Sequence, residues 1–307
     1  MKKIMIIGSL NIDFVVEVEE MPEAGETILV QSYTKIPGGK GANQAFAAGK
    51  LGADITMLGA VGGDENGTVL LNSLKSANVC TDYIKIDETE NTGIAWITVS
   101  HAGENSITVV QGANRKVDKA YIDKHIEEIK KTDIVILQLE IPLDTVIYAA
   151  NLAKTYGKTV ILDPAPAQRK LPNELLSCVD IIKPNETELQ ILMDLENAEE
   201  DLENSTDLLK KQGIKNVIVT LGGKGAYLNS ADGTKNFFPS EKVQVVDTTA
   251  AGDTFTAAIA VKLADDEALS QAIEFANRAA AITVTRKGAQ SSIPSLAEVK
   301  QAADNQA

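Results

Sequence analysis

"DIVILQLEIPLDTVIYAANLAKTYGKTVILD", residues 133–163, places two short apolar runs (133–139 and 159–163) on either side of a helical pattern over 143–156. The runs are apolar almost throughout rather than alternating. That is what a strand covered on both faces requires, since neither side meets water. Strand, helix and strand in this order predict a βαβ unit with parallel strands. The same alternation extends outward through "KIMIIG" (3–8), "ITMLGAV" (55–61), "VDIIKP" (179–184) and "NVIVTLG" (216–222). Helical patterns lie between them near 40–52, 65–77, 118–131, 186–193 and 199–213. Two Ala-rich helices, near 252–265 and 267–285, follow. The expected fold is a three-layer α/β/α sandwich with a mostly parallel central sheet.

Three segments interrupt the alternation: "DFVVEVEE" (13–20), "TILVQSYTKI" (27–36) and "GIAWITVSHAGENSITVVQ" (93–111), the last a hairpin around "HAGEN". They predict a small second sheet, either a lid over a site or an antiparallel extension of the core sheet. Without repeats or a low-complexity linker, the chain reads as a single domain, 1–307. The β-lid within it would be discontinuous, from about 13–36 and 93–111.

The 307 residues carry a net charge of −14, and 44% are hydrophobic and 23% charged. There is no basic stripe to neutralise a phosphate backbone, which argues against nucleic acid. Cys80 and Cys178 lie far apart and form no CxxC pair, so reduced thiols are expected. The opening "MKKIMIIGSLNIDF" has the look of a signal peptide, but Asn11 and Asp13 interrupt it and a buried first strand fits better. No apolar stretch approaches the roughly 18 residues of a membrane span.

"IPGGKGANQA" (36–45) is not a P-loop, because Lys40 is followed by Gly41 instead of Ser or Thr. The stronger anion site is "VVDTTAAGDTFTAAIAVKLA" (245–264), a strand end that runs through small residues into a helix. Ala250, Ala251 and Gly252 let a ligand reach N–H groups that a helix start leaves unpaired. Asp253, just inside, could cap the helix or serve as a base. In "KPNETE" (183–188), Asn185 and Glu188 stand three apart, the spacing of a capping box.

"DTTAAGDTF" (247–255) is similar to the second signature of the ribokinase family, the carbohydrate kinases also called the PfkB family. "GGKGANQAFAAGKLGA" (38–53) resembles the first signature. "DPAPA" (163–167), "KPNETE" and "VTLGGKGA" (219–226) match in order between them, so the resemblance spans essentially the whole chain. Thr256 and Asp163 depart from it, standing where members often carry Asn.

The resemblance implies a cytoplasmic enzyme that phosphorylates D-ribose at O5 with ATP. It implies that Gly38, Gly39, Asn11, Asp13, Lys40, Asn43 and Glu140 receive the sugar and that Asp253 is the general base. Residues 250–252 would form the anion hole. Asn185, Thr220, Gly222, Gly223, Gly225, Gly252 and Asn277 would contact ATP. Asn185 and Glu188 would order Mg²⁺ through water. A K⁺ ion would sit among Asp247, Thr249, Thr283, Arg286, Gly288 and Ser292, partly on backbone carbonyls. The lid, with apolar positions such as Val15, Ile28 and Ile97, would pair two copies into a homodimer. Taken singly, Lys40 also fits a solvated helix start, Asp13 an edge strand, and Asp247 a cap on its own turn.

Overall fold

A computed structural model describes residues 2–195 and 201–304. The chain enters on β1 (Lys3–Ile7), whose Ile4 and Ile6 join one buried cluster while Met5 and Ile7 join another. Both faces of the strand are dry, which is why it carries no polar alternation. The chain then leaves the main sheet for β2 (Asn11–Val18) and β3 (Thr34–Gly38). It returns through α1 (Lys40–Lys50) to β4 (Asp54–Leu58), parallel to β1. β5 (Ala60–Gly62), α2 (Glu65–Ser76) and β6 (Lys85–Asp87) follow, with β5 and β6 forming a separate pair. A second departure makes β7 (Gly93–Ser100) and β8 (Asn105–Val110).

Past α3 (Lys119–Lys124) and α4 (Ile126–Lys131), the βα alternation resumes. It runs through β9 (Ile134–Leu137), α5 (Leu143–Thr155), β10 (Thr159–Leu162), α6 (Asn173–Leu176) and β11 (Ile181–Ile182). It continues through α7 (Glu186–Met193), α8 (Leu202–Lys210) and β12 (Asn216–Thr220). An antiparallel hairpin, β13 (Gly225–Asn229) and β14 (Lys235–Pro239), then extends the sheet. α9 (Ala251–Ala264), α10 (Leu269–Thr283) and α11 (Leu296–Asp304) close the described chain.

The central sheet has the order β14-β13-β12-β11-β10-β9-β1-β4, parallel from β12 to β4. From β1 the chain goes first to β4 on one side and later to β9 on the other. The strand order therefore reverses between β1 and β9, and ligands of open α/β sheets collect beyond the carboxyl ends of strands at such a point. The two excursions build a separate sheet, β3-β2-β7-β8, and do not extend the core sheet.

Several expected elements differ. The strand over 55–61 is two strands, β4 and β5. The helix over 118–131 is broken at His125 into α3 and α4. Only the end of 27–36 is a strand. Pairing with β2 closes at Val15 opposite Thr34, and Ile28, Leu29 and Val30 lie exposed before it. For the helix expected over 199–213, positions 199–200 lie outside the described residues, and α8 starts at Leu202.

Candidate active site

At the reversal point the ends of β1 and β9 are stitched together by side chains. Ser9, just past β1, donates its hydroxyl to Glu140 Oε2, just past β9. The same oxygen accepts the Lys40 N–H at 3.0 Å, which anchors the start of α1 there. Gly39, the N-cap of α1, has φ 86°. A Cβ on it would lie 2.7 Å from the Asn11 nitrogen, so only glycine lets β2 and α1 approach this closely. A Cβ on Gly38 would fall 2.2 Å from the Asp13 carboxylate. The glycine turn thus clears the space in which Asp13 sits. Asn11 is buried, and its Oδ1 accepts the Asn114 amide at 2.8 Å.

Asp253 belongs to the third position of α9 and is buried, but it does not cap that helix. Its carboxylate accepts the Asn43 amide at 3.0 Å and the Gln44 amide at 3.0 Å, both from α1. The N-cap is Ala250, in the left-handed region at φ 62°, with no side-chain cap. Such a turn aims successive N–H groups into one concavity, an anion-binding arrangement. Ala251 N–H bonds Thr248 O at 3.2 Å, so the free donors of the first turn begin at Gly252.

Carboxylates crowd this space. Burial pushes the Asp13 carboxyl up to about 7, helped by Glu140 and Asp253 and opposed by Lys40. Burial also raises Asp253, while the Lys40 ammonium works the other way. Burial alone would lower Lys40, but Asp253, Asp163 and Glu140 hold its ammonium above the usual lysine range. Lys40 is therefore a charged group at the centre of an acidic pocket and not a solvated helix start.

Lys40 and Asp253 also line a cleft of about 620 Å³. Asn185, Glu188, Thr220, Gly222, Gly223 and Asn277 line it, together with Ala250, Ala251 and Gly252. Asn277 donates its amide to Phe238 O at 3.0 Å, so it braces the end of β14 as well as lining the cleft. Asn185 and Glu188 form a full capping box, each accepting the other's N–H, at 2.7 and 2.8 Å. That engages Asn185 Oδ1 and one Glu188 oxygen. The other Glu188 oxygen stands outside the box, and one such oxygen is enough for a cation that keeps most of its own waters.

The chain matches the pfkB family carbohydrate kinase description over residues 1–296. The chain belongs to this family. It is 41% identical to the ribokinase of Haemophilus influenzae, with 97% of each chain covered. It is 36% identical to the deoxyribokinase of Salmonella typhi, again over 97% of both. The structure of Arabidopsis thaliana ribokinase complexed with ribose and ATP superposes with a TM-score of 0.91 at 37% identity, over 98% of each chain.

In this kinase the loops expected around a monovalent cation do meet. Val246 and Asp247 N–H groups both bond Val284 O, and Asp247 Oδ2 accepts Gly288 N–H at 2.8 Å. Their side chains are otherwise engaged. Asp247 Oδ1 holds Thr249, and the Thr283 and Ser292 hydroxyls bond the carbonyls of Ala279 and Ala289. Arg286 pairs with Glu298. Backbone carbonyls of these loops are the oxygens that could reach an ion without breaking those bonds.

Sequence reasoning missed Gln44 and Asn114 as site residues. Gln44 is fully buried and bridges Asp163 and Asp253. Its one local signal is a second polar residue beside Asn43 in an otherwise small and apolar helix start. Asn114 gives no such signal.

Proposed function

We propose that this kinase transfers the γ-phosphoryl of ATP to O5 of D-ribose, giving ADP and D-ribose 5-phosphate, with Asp253 as general base. The observation that carries the proposal is the position of Asp253. It is a buried carboxylate, held by two amides of α1, at an uncapped helix start that borders both the acidic pocket and the cleft. The likeness to ribokinases and to a ribose- and ATP-bound structure supports the choice of substrates.

Ribose sits in the pocket of Asn11, Asp13, Gly38, Gly39, Lys40, Asn43 and Glu140. Asp13, when ionised, accepts from two hydroxyls. Asn43 and Gln44 fix the Asp253 oxygens, and its raised pKa makes it a better acceptor for the O5 proton. ATP occupies the cleft, with Thr220, Gly222, Gly223, Gly225 and Asn277 along its walls and Asn185 near the phosphates. Charge on the moving phosphoryl meets the open first turn of α9, where Ala250 and Ala251 form the small-residue bend and the Gly252 N–H is the first free donor. Mg²⁺, held through water by Glu188 and Asn185, would neutralise phosphate charge. K⁺ would rest on carbonyls of the 247–249 and 283–292 loops, behind the anion hole.

The sheet β3-β2-β7-β8 serves as a lid, since β2 and β3 carry Asn11, Asp13 and Gly38 themselves. Its exposed Trp96, Ile107, Val109 and Val110 suit pairing with a second copy. Among the described residues no helix is long and apolar enough to cross a membrane. The deciding experiment is ADP release over ribose, 2-deoxyribose, fructose and adenosine. Ribose should give the highest kcat/KM, and a preference for adenosine or fructose would overturn the substrate assignment.

A further inference from the structure

Lys183 follows β11 and Asp163 follows β10, neighbouring parallel strands of the central sheet. Both side chains are almost wholly buried, with Lys183 Nζ 3.2 Å from Asp163 Oδ2. Both also line the cleft. Asp163 is tied inward: the same oxygen accepts the Gln44 amide at 2.9 Å, and that amide also donates to Asp253 at 3.0 Å. Lys183 is not tied further. Among the described residues its ammonium has no partner besides Asp163, so protons remain for another acceptor.

The position of that ammonium is marked by Gly252. A Cβ on Gly252 would lie 3.3 Å from Lys183 Nζ, so the charge stands against the first turn of α9. Unclaimed ammonium protons in a buried place are costly unless an acceptor arrives. The pocket is also rich in carboxylates: Asp13, Glu140, Asp163, Glu188 and Asp253 surround Lys40. A polyanion entering there needs a fixed cation to meet it.

We propose that Lys183 is a further catalytic residue, whose ammonium contacts the γ-phosphoryl of ATP at the start of α9, and that Asp163 is its positioning residue. The inference rests on the proposed reaction. As the bond from the γ-phosphorus to the bridging oxygen of ADP breaks, a bond to the sugar oxygen forms. The sugar proton goes to Asp253. Lys183 stays protonated and supplies charge alone, matching the negative charge spread over the moving group.

The test compares Lys183→Met, Lys183→Arg, Asp163→Asn and the double variant Lys183→Met/Asp163→Asn. The readouts are thermal stability, kcat, and binding of Mg·ATP and Mg·ADP by calorimetry without sugar. Lys183→Met alone strands a buried carboxylate and can lose stability for that reason. The double variant removes both charges, so it separates packing from chemistry. It should melt near the wild-type temperature, bind ADP as wild type does and bind ATP at least about tenfold more weakly. Its kcat should fall by about 10²-fold, the usual cost of losing one charge-stabilising donor. Lys183→Arg should recover part of the ATP preference, and Asp163→Asn should weaken ATP but not ADP. A double variant with near-wild-type kcat and an unchanged ATP-to-ADP affinity ratio would reduce the pair to packing. Equal losses for ATP and ADP would overturn the γ-phosphoryl contact. Because the nucleotide contrast needs no sugar, it stands apart from whether the wild-type protein phosphorylates ribose.

Discussion

At the start of α7 the backbone is closed by its own side chains, Asn185 and Glu188 each accepting the other's N–H. At the start of α9, on the same cleft, no side chain caps the helix and Ala250 takes a left-handed conformation. A good N-cap contributes about 1 kcal/mol, and an alanine in the left-handed region costs about 1–2 kcal/mol. α9 forgoes the first and bears the second. The difference separates a helix start closed by its own side chains from one left open, as the proposed anion hole requires. The carboxylates follow the same division. Glu188 is spent partly on its helix, whereas Asp253 makes no bond to its own backbone and is held instead by α1.

The contrast can be broken or sharpened by substitution. Gly38→Ala should have the largest effect outside Asp253 itself, because its Cβ would displace the Asp13 carboxylate. Losing hydrogen bonds to a charged group costs about 1.5–3 kcal/mol each, so ribose KM should rise by about 10–100-fold with kcat changed less. An unchanged KM would remove Asp13 from the sugar pocket.

Next comes pH. The Asp13 carboxyl, pushed up to about 7 by burial, must be ionised to accept hydroxyls. Ribose affinity should fall about tenfold between pH 8 and pH 6, as that carboxyl becomes about nine-tenths protonated. Asp13→Asn should flatten the profile. The stability sign is opposite to that of a salt-bridged carboxylate. The folded chain holds a proton that the unfolded chain releases between its ordinary pKa and about 7, so native stability falls as pH rises through that window. Without sugar, Asp13→Asn should raise the melting temperature at pH 8 and leave it unmoved at pH 4.

Asn185→Ala should cost about 1 kcal/mol, a few degrees of melting temperature, as expected of a cap. Ala250→Gly should have the smallest effect, a gain of a few tenths of a kcal/mol. A loss of about 1 kcal/mol or more would mean that Ala250 is not strained.

Much of this arrangement is legible in the sequence. β1, β9 and β10 are apolar on both faces because both faces are covered, and that pattern is local. The Gly38–Gly39 turn, the small residues before Asp253 and the order of motifs along the chain are local as well. What escaped depends on distant partners. Gln44 meets Asp163 and Asp253 across 119 and 209 residues, and nothing beside it in sequence announces either. Residues 27–33 carry strand-like residues, but strand formation needs a neighbour, and the register with β2 ends at Thr34. Asn185 and Glu188 fit a capping box and a hydrated cation equally well by spacing. In the fold the box forms, with one Glu188 oxygen outside it.

The most direct test of the open helix start is Asp253→Asn, with turnover, ribose affinity and melting temperature measured on one preparation. Loss of a general base typically costs about 10²–10⁴ in rate. The variant should stay folded, bind ribose within a few-fold of wild type and lose at least about 10²-fold in kcat. A folded variant that turns over at nearly the wild-type rate would contradict the assignment of Asp253 as the base.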